Sequence, residues 1–299
     1  MKEFDGKVAF ITGGGSGVGL GQAKVFGKAG CRVVIADIRE DHLQEGLAAL
    51  QGLDVRCHGI KLDITDREAY VGAAEEVEKV FGPVELLFNT AGVSLFGPLE
   101  KSTYADYDWQ MNVNFGGVVN GIMTFVPRMI TNGKGGYIVN TASMGAFRGS
   151  DPAGIYCASK FAVLGLTEAL RGALEKYHIG VSVLCPANVN TNIAEAIQTR
   201  PEKYSHSGYK FDDKVLHSLK TIYSAGKDPE ELAHEVMDAM ARNQFYIIPY
   251  PESRPVLQAH FDQIIASLPP EDYDPEGVAK RAAAMKRYRE ERQAMKLDE

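Results

Sequence analysis

Seven residues near the start of the chain, GGGSGVG at 13–19, limit its possible folds more than any other stretch. They lie between KVAFIT at 7–12 and LGQAKVFGKAG at 20–30. The first is a short apolar run of the kind buried on both faces of a parallel sheet. The second repeats its apolar residues at helical spacing. Strand, glycine bend and helix in that order turn backbone N–H groups and a helix N-terminus toward one point, which suits a pyrophosphate. Glycine turns are common, so the bend gains meaning from the next strand. CRVVIAD at 31–37 is a second apolar strand that closes on an acid. A carboxylate there accepts hydrogen bonds from adenosine ribose hydroxyls and repels a 2′-phosphate. Asp37, with Ile38 after it, therefore favours NAD, while Arg39 leaves NADP open. Capping the next helix is a second role that Asp37 could share.

The alternation continues. Residues 41–50 read as helix, 55–63 as strand, 66–81 as helix, and 84–89 (VELLFN) as a buried strand closed by TAG. Later strand-like runs are GYIVNTAS at 136–143, VSVLCP at 181–186 and FYIIP at 245–249. Strands alternating with helices predict an α/β fold: a doubly wound, Rossmann-type parallel sheet of seven strands with helices on both faces. Right-handed crossovers place the carboxyl ends of the strands along one edge, where ligands bind. Residues 13–19, Asp37, Asp63, residues 89–92 and Ser143 all fall at such ends.

Within NTASMGAFRGSDPAGIYCASKF at 140–161, Tyr156 and Lys160 stand four apart at the head of an apolar helical run. Positions i and i+4 share a helix face, so the ammonium lies beside the phenol. A free phenol, with a pKa of about 10, is a poor base at neutral pH, and making it a good one takes roughly 4 kcal/mol of differential interaction. A nearby cation works in that direction, and an oxidised nicotinamide adds a second. Ser143, at the end of the preceding strand, can reach the same phenol. The plainer reading of such a pair is two exposed helix neighbours worth a few tenths of a kcal/mol.

Residues 102–130 read as one long helix containing Asn112 and Asn114. An asparagine in an apolar helix must be satisfied, either by neighbouring backbone or by a water held near Lys160. Thr191 and the backbone of Val189 can meet a nicotinamide carboxamide. Residues 194–225 are polar and irregular, and a segment spanning 190–226 is expected to be either a substrate lid or a loose surface loop. Residues 228–243 read as a helix with an acidic start. Residues 1–250 are expected to form one dehydrogenase-type domain, with 251–299 a helical extension packed on it that ends in a charged, solvated helix.

Charge and cysteine usage exclude some classes. A net charge of −7, with no basic block, argues against nucleic acid or an anionic membrane as partner. Cys31, Cys57, Cys157 and Cys185 form no paired motif and suit a reducing compartment. No signal peptide opens the chain and no apolar run of about 18 residues is seen, so a cytoplasmic protein without a membrane span is expected. The seven histidines form no ligand motif, and no metal is expected.

Taken together, the chain resembles a short-chain dehydrogenase/reductase over about residues 5–250. The resemblance rests on TGGGSGVG at 12–19, Asp37, Asp63 in LDITD, NTAG at 89–92, Asn114 in VNFGG, Ser143, YCASK at 156–160 and PANVNT at 186–191. The chain departs from the family in having Thr90 within N-T-A-G and Ala187 after Pro186. The resemblance implies Tyr156 as general base or acid, Ser143 holding the substrate oxygen, Lys160 lowering the Tyr156 pKa and binding the nicotinamide ribose, and Asn114 positioning a water. It implies an NAD site, with NADP the lesser alternative, built from Gly13, Ser16, Gly17, Val18, Gly19, Asp37, Ile38, Asp63, Ile64, Asn89, Ala91, Gly92, Tyr156, Lys160, Pro186, Val189 and Thr191. A homodimer or homotetramer would be expected with it. The chain is also similar to the Cα-dehydrogenases of bacterial lignin breakdown, which implies oxidation of a benzylic alcohol to its ketone. Ser94, Phe96, Ser143, Met144, Phe147, Ile193, Tyr204 and Tyr209 would then face the aryl substrate. Reduction of other bulky or steroid-like ketones, and a non-catalytic dinucleotide-binding regulator, are the alternatives.

Overall fold

The apolar runs pair as one sheet of seven parallel strands in the order β3-β2-β1-β4-β5-β6-β7. The computed structural model describes residues 3–209, 213–270 and 272–294. The strands are β1 (Val8–Thr12), β2 (Arg32–Asp37), β3 (Cys57–Lys61), β4 (Leu86–Asn89), β5 (Gly136–Thr141), β6 (Ile179–Leu184) and β7 (Tyr246–Ile247). Every residue of β1, β4 and β5 is buried, which is why these runs show no polar alternation. The order turns back on itself between β1 and β4. The register there pairs Ile11 with both Ile35 and Phe88, so the ends of β2, β1 and β4 open onto one crevice.

The helices between the strands are α1 (Gly17–Lys28), α2 (Glu40–Gln51), α3 (Arg67–Val80), α4 (Tyr104–Met111), α5 (Gly117–Asn132), α6 (Gly154–Leu174), α7 (Asp213–Ser224) and α8 (Pro229–Ala241). Helix α1 buries Ala23, Val25 and Phe26, and the Phe26 ring meets Phe4 and Phe88 at 5.2 and 4.8 Å. Acidic caps start α3 and α8: Asp66 accepts from Ala69 N, and Asp228 accepts from Glu230 N and Glu231 N.

Two stretches differ from the sequence reading. The long helix expected over 102–130 is broken by a π turn at Asn112–Gly116. There Asn114 bonds across to the backbone of Val93, and Gly116 and Gly117 offer little helical stiffness. The segment expected to be irregular holds two 3₁₀ turns, Ile193–Thr199 and Glu202–Tyr204, and the twelve-residue helix α7. Leu216, Leu219 and Tyr223 recur at helical spacing in α7 and are half-buried, a pattern diluted by the polar residues between them. Residues 210–212 of this segment lie outside the described residues, as do 271 and 295–299 of the tail.

Contrary to expectation, one stretch, 151–177 around α6, is long and apolar enough to cross a membrane. It packs on β5 and β6 and carries Tyr156 and Lys160, which makes it a core helix. The chain divides into a unit at Met1–Pro251 and a second at Glu252–Glu299. The second contains α9 (Arg254–Ala266) and the charged helix α10 (Pro275–Ala294), both within the stretch expected to be helical. Asp274 accepts from Gly277 N at 3.0 Å and pairs with Arg281 at 3.1 Å at the start of α10.

Candidate active site

The glycine bend is held against the end of β4. Gly13 has a φ of +65°, which favours glycine, and a Cβ there would lie 2.9 Å from Ala91 Cα. Thr12 Oγ1 accepts from Thr90 N at 2.9 Å and Ala91 N at 3.1 Å. Thr90, the departure from the family pattern, donates its hydroxyl to Gln22 Oε1 at 2.7 Å and so ties α1 to the β4 end. A Cβ on Gly19 would approach Gly13 O to 2.2 Å, which no side-chain rotation relieves. Gly19→Ala is therefore expected to destabilise the protein by about 1–3 kcal/mol and to weaken dinucleotide binding at least tenfold. Thermal unfolding and a binding titration measure the two effects, and wild-type values in both would show that the bend is not held this tightly.

Asp37, at the end of β2, accepts from Gly15 N (3.1 Å) with one oxygen and from Arg39 N (3.0 Å) with the other. It thus closes the first glycine turn, and the N-cap position of α2 falls to Arg39. Asp63 accepts from the backbone and hydroxyl of Thr65 at 2.9 and 2.7 Å. Between them lies a cleft of about 1140 Å³, its mouth included. Of the expected cofactor residues, Gly13, Ser16, Gly17, Val18, Gly19, Asp37, Ile38, Asp63, Ile64, Ala91, Gly92 and Thr191 line it.

The other five, Asn89, Tyr156, Lys160, Pro186 and Val189, are not on its lining. Asn89 is buried in the sheet, donating to Asn140 Oδ1 at 2.8 Å. Pro186 O accepts from Met144 N at 2.9 Å, and Val189 bridges to Lys227. The bend is also packed tightly against the start of α2: a Cβ at position 15 would come within 2.8 Å of His42 O and 3.0 Å of Asp37 Oδ2.

Tyr156, Ser143 and Lys160 meet just past the Gly92 end of this cleft. Lys160 Nζ lies 3.5 Å from where a Gly92 Cβ would stand and 5.6 Å from the centre of the Tyr156 ring, and it donates to Thr141 O at 3.0 Å. Ser143 Oγ accepts from Gly145 N at 3.1 Å and donates to Pro186 O at 3.4 Å, and it lies close enough to the Tyr156 phenol to lower its pKa. Asn114 is fully buried. Its Oδ1 accepts from Val93 N at 2.8 Å, and its amide donates to Val93 O at 2.9 Å and Ser159 Oγ at 3.0 Å. All of its amide hydrogens thus have protein acceptors.

Burial sets the electrostatics of the chain's own groups here. Burial pushes the Tyr156 phenol above its ordinary value, and the Ser143 hydrogen bond only partly offsets this. Burial also pushes Lys160 down, to about 8. Desolvation disfavours the charged form of both groups, so the lysine does not by itself make the phenol acidic. Tyr223 on α7, which the sequence reading passed over, lies close enough to raise the phenol further.

The segment after β6 folds over the cleft. Asn192 accepts from Ser16 Oγ at 3.1 Å and sets its amide against the His42 ring at 3.2 Å. Ile193, Glu195, Ala196, Thr199, Pro201 and Tyr204 line the cleft from above. Its far end is pinned by Asp106, a fully buried carboxylate on α4 that accepts from Thr103 N (2.9 Å), Gly208 N (3.0 Å), Ser207 Oγ (2.7 Å) and Arg200 Nη1 (2.8 Å). The Arg200 guanidinium sits 5.2 Å from the Trp109 ring.

Of the expected substrate residues, Ile193 and Tyr204 line the cleft, while Phe96 and Met144 are half-buried and not on its lining. Ser94 is buried. Phe147 is buried with its ring 6.3 Å from Tyr246. Tyr209 belongs to a small core with Val93, Leu95, Trp109 and Ile155, and its ring occupies the space a Gly97 side chain would take. It is therefore a packing residue. Asp106, Arg200 and Asn192 gave no local signal in the sequence, because their partners are 94 to 176 residues away.

Residues 7–202 match the family model described as short chain dehydrogenase. The chain belongs to the short-chain dehydrogenases. Its relatives in this family include a Cα-dehydrogenase of Sphingobium sp. strain SYK-6, 53% identical over 286 residues, covering 95% of this chain and 94% of that one. Among solved structures, apo LigD from the same strain has a TM-score of 0.76 at 48% identity, covering 90% of this chain and all of that one. A short-chain dehydrogenase of Burkholderia phymatum in complex with NAD has a TM-score of 0.85 at 34% identity, over 91% of this chain and 99% of that one. This short-chain dehydrogenase is accordingly an oxidoreductase with a dinucleotide-binding fold.

Proposed function

We propose that the protein oxidises the secondary, benzylic alcohol of an aryl compound to its ketone, with NAD as acceptor and Tyr156 as base. The observation that carries this reading is the meeting of the Ser143 hydroxyl, the Tyr156 phenol and the buried Lys160 amine at the Gly92 end of the cleft. Bound NAD supplies the hydride acceptor and a positively charged ring. The rest falls to the chain. Ser143 donates to the substrate oxygen, and Tyr156, as phenolate, takes the proton as the carbinol carbon loses hydride. A base must lie within hydrogen-bond reach of that proton, and the Ser143–Tyr156 contact sets the two groups on one substrate atom. Lys160, fixed by Thr141 O, binds the ribose and carries its charge toward the phenolate. Asn114 holds the π turn against Val93, which leaves a water beside Lys160 to the backbone. Asp37, one oxygen held by Gly15 N and the other by Arg39 N, favours NAD. The lid at 190–226 closes over the substrate, with Tyr204 and Ile193 as its apolar contacts. The likeness to a Cα-dehydrogenase at 53% identity supports the benzylic substrate.

A panel of benzylic, steroid and simple secondary alcohols, each assayed with NAD and NADP, tests the reading. Fastest turnover on a benzylic alcohol is expected, and activity confined to steroids would overturn it.

The pH dependence has a definite sign. A phenol held high by burial is mostly protonated at neutral pH, so oxidation needs the deprotonated fraction and speeds up as pH rises. Below the apparent pKa of the base, kcat/KM for oxidation is expected to climb about tenfold per pH unit, while ketone reduction shows no such rise. A steady-state profile from pH 6 to 10 measures this, and a flat oxidation limb would contradict it.

A further inference from the structure

Arg39 occupies the place where a 2′-phosphate would arrive if a ribose lay against Asp37, an orientation that rests on the NAD reading above. Such an arginine ordinarily welcomes that phosphate. Here it is already engaged. Its Nε and Nη2 meet the Asp41 carboxylate, with Nε at 3.1 Å, and its Nη1 lies 3.8 Å from Glu195 on the lid. The other Glu195 oxygen pairs with Lys220 on α7 at 2.7 Å. Asp37, Arg39, His42 and Glu195 all line this end of the cleft.

We propose that Glu195, together with Asp41, is a cofactor-discriminating residue. By holding the Arg39 guanidinium and the Lys220 ammonium in ion pairs, it keeps the ribose end of the cleft negative, so the lid as well as the β2–α2 turn rejects a 2′-phosphate. With Asp37 included, three carboxylates face two cations there. A phosphate brings about −1.5 to −2 further charge at neutral pH. Neutralising Glu195 removes one repelling charge, frees the Lys220 ammonium and leaves Arg39 paired with Asp41 alone. Exposed ion pairs are individually weak, so each substitution acts several-fold and the carboxylates act together.

The test uses the full-length protein at fixed ionic strength. Dissociation constants for NAD and NADP are read from quenching of Trp109, the chain's one tryptophan, which lines the cleft. The wild type binds NAD more tightly. Glu195→Gln improves NADP relative to NAD about 5-fold, and adding Asp41→Asn improves it further, to about 20-fold. The gain shrinks with added salt, as screening of newly freed cations requires. If both variants keep the wild-type ratio within twofold while Asp37→Ser shifts it, the proposal fails and the NAD reading stands. A wild type that prefers NADP overturns both.

Discussion

Tyr156→Phe is expected to lose at least about 10³-fold in kcat while binding NAD as tightly as the wild type. The substitution removes one oxygen and little else. The half-buried ring stays in place, Lys160 keeps its bond to Thr141 O, and the glycine bend and Asp37 are untouched. What disappears is the proton acceptor and the partner of Ser143. A 10³-fold loss corresponds to about 4 kcal/mol of transition-state stabilisation, the scale of a whole acid–base group and larger than any packing change from a lost hydroxyl. Steady-state turnover and an NAD titration separate the two quantities. Turnover within tenfold of wild type would remove Tyr156 from the reaction.

Asp106→Ala is expected to destabilise the first unit by about 3–5 kcal/mol and to raise KM with a smaller effect on kcat. The reason is what the substitution leaves behind. Arg200, with a side chain only 5% exposed, would remain buried without its carboxylate, and Gly208 N and Thr103 N would lose their acceptor. Breaking a buried pair from one side costs more than an exposed pair ever contributes. The other end of the lid hangs on Glu195, whose pairs with Arg39 and Lys220 are at least partly exposed and correspondingly weak. The Asp106 end therefore anchors the lid more firmly than the Asn192–Glu195 end does.

Burial alone would raise the Asp106 carboxyl, but hydrogen bonds from Ser207, Thr103, Gly208 and Arg200 outweigh it and hold it down to about 2. A carboxylate whose folded pKa is depressed stabilises fully above its unfolded value of about 3.9. That contribution is lost as pH falls through about 2, so at neutral pH it is fully present. Denaturant unfolding and limited proteolysis around residues 192–209 check the prediction. An unchanged midpoint with an intact lid would show that Asp106 anchors nothing.

The parts of this molecule legible in its sequence are those governed by local rules. Strand β1, the glycine bend and α1 are consecutive, and their pattern points to both the fold and the bend that lines the cleft. Tyr156 and Lys160 are one helical turn apart, so spacing alone made them neighbours. The lid was opaque because its contacts are long-range. Arg200 finds Asp106 across 94 residues, and Glu195, which follows β6, finds Arg39, which follows β2. Nothing in hydrophobic periodicity reports such pairs. Helix α7 was hidden by polar residues between its apolar positions, and the π turn by the continuity of the helical pattern around Asn114. Tyr209 looked like a substrate contact because an aromatic residue in a lid has the same composition whether it faces a ligand or packs on Gly97. The balance of forces on the Tyr156 phenol is the least legible part. Spacing places a lysine beside the phenol, but only burial in the folded molecule shows that desolvation outweighs it and weakens the lysine's own charge.

The central claim is that the Tyr156 phenol becomes a working base only when the positive ring of the oxidised dinucleotide joins Lys160. Ultraviolet titration of phenolate, taken as the difference between wild type and Tyr156→Phe, measures that group alone, with and without NAD. The account predicts a phenol that ionises above the ordinary tyrosine range in the free protein and at least one pH unit lower with NAD bound. The same titration curve in both states would contradict it.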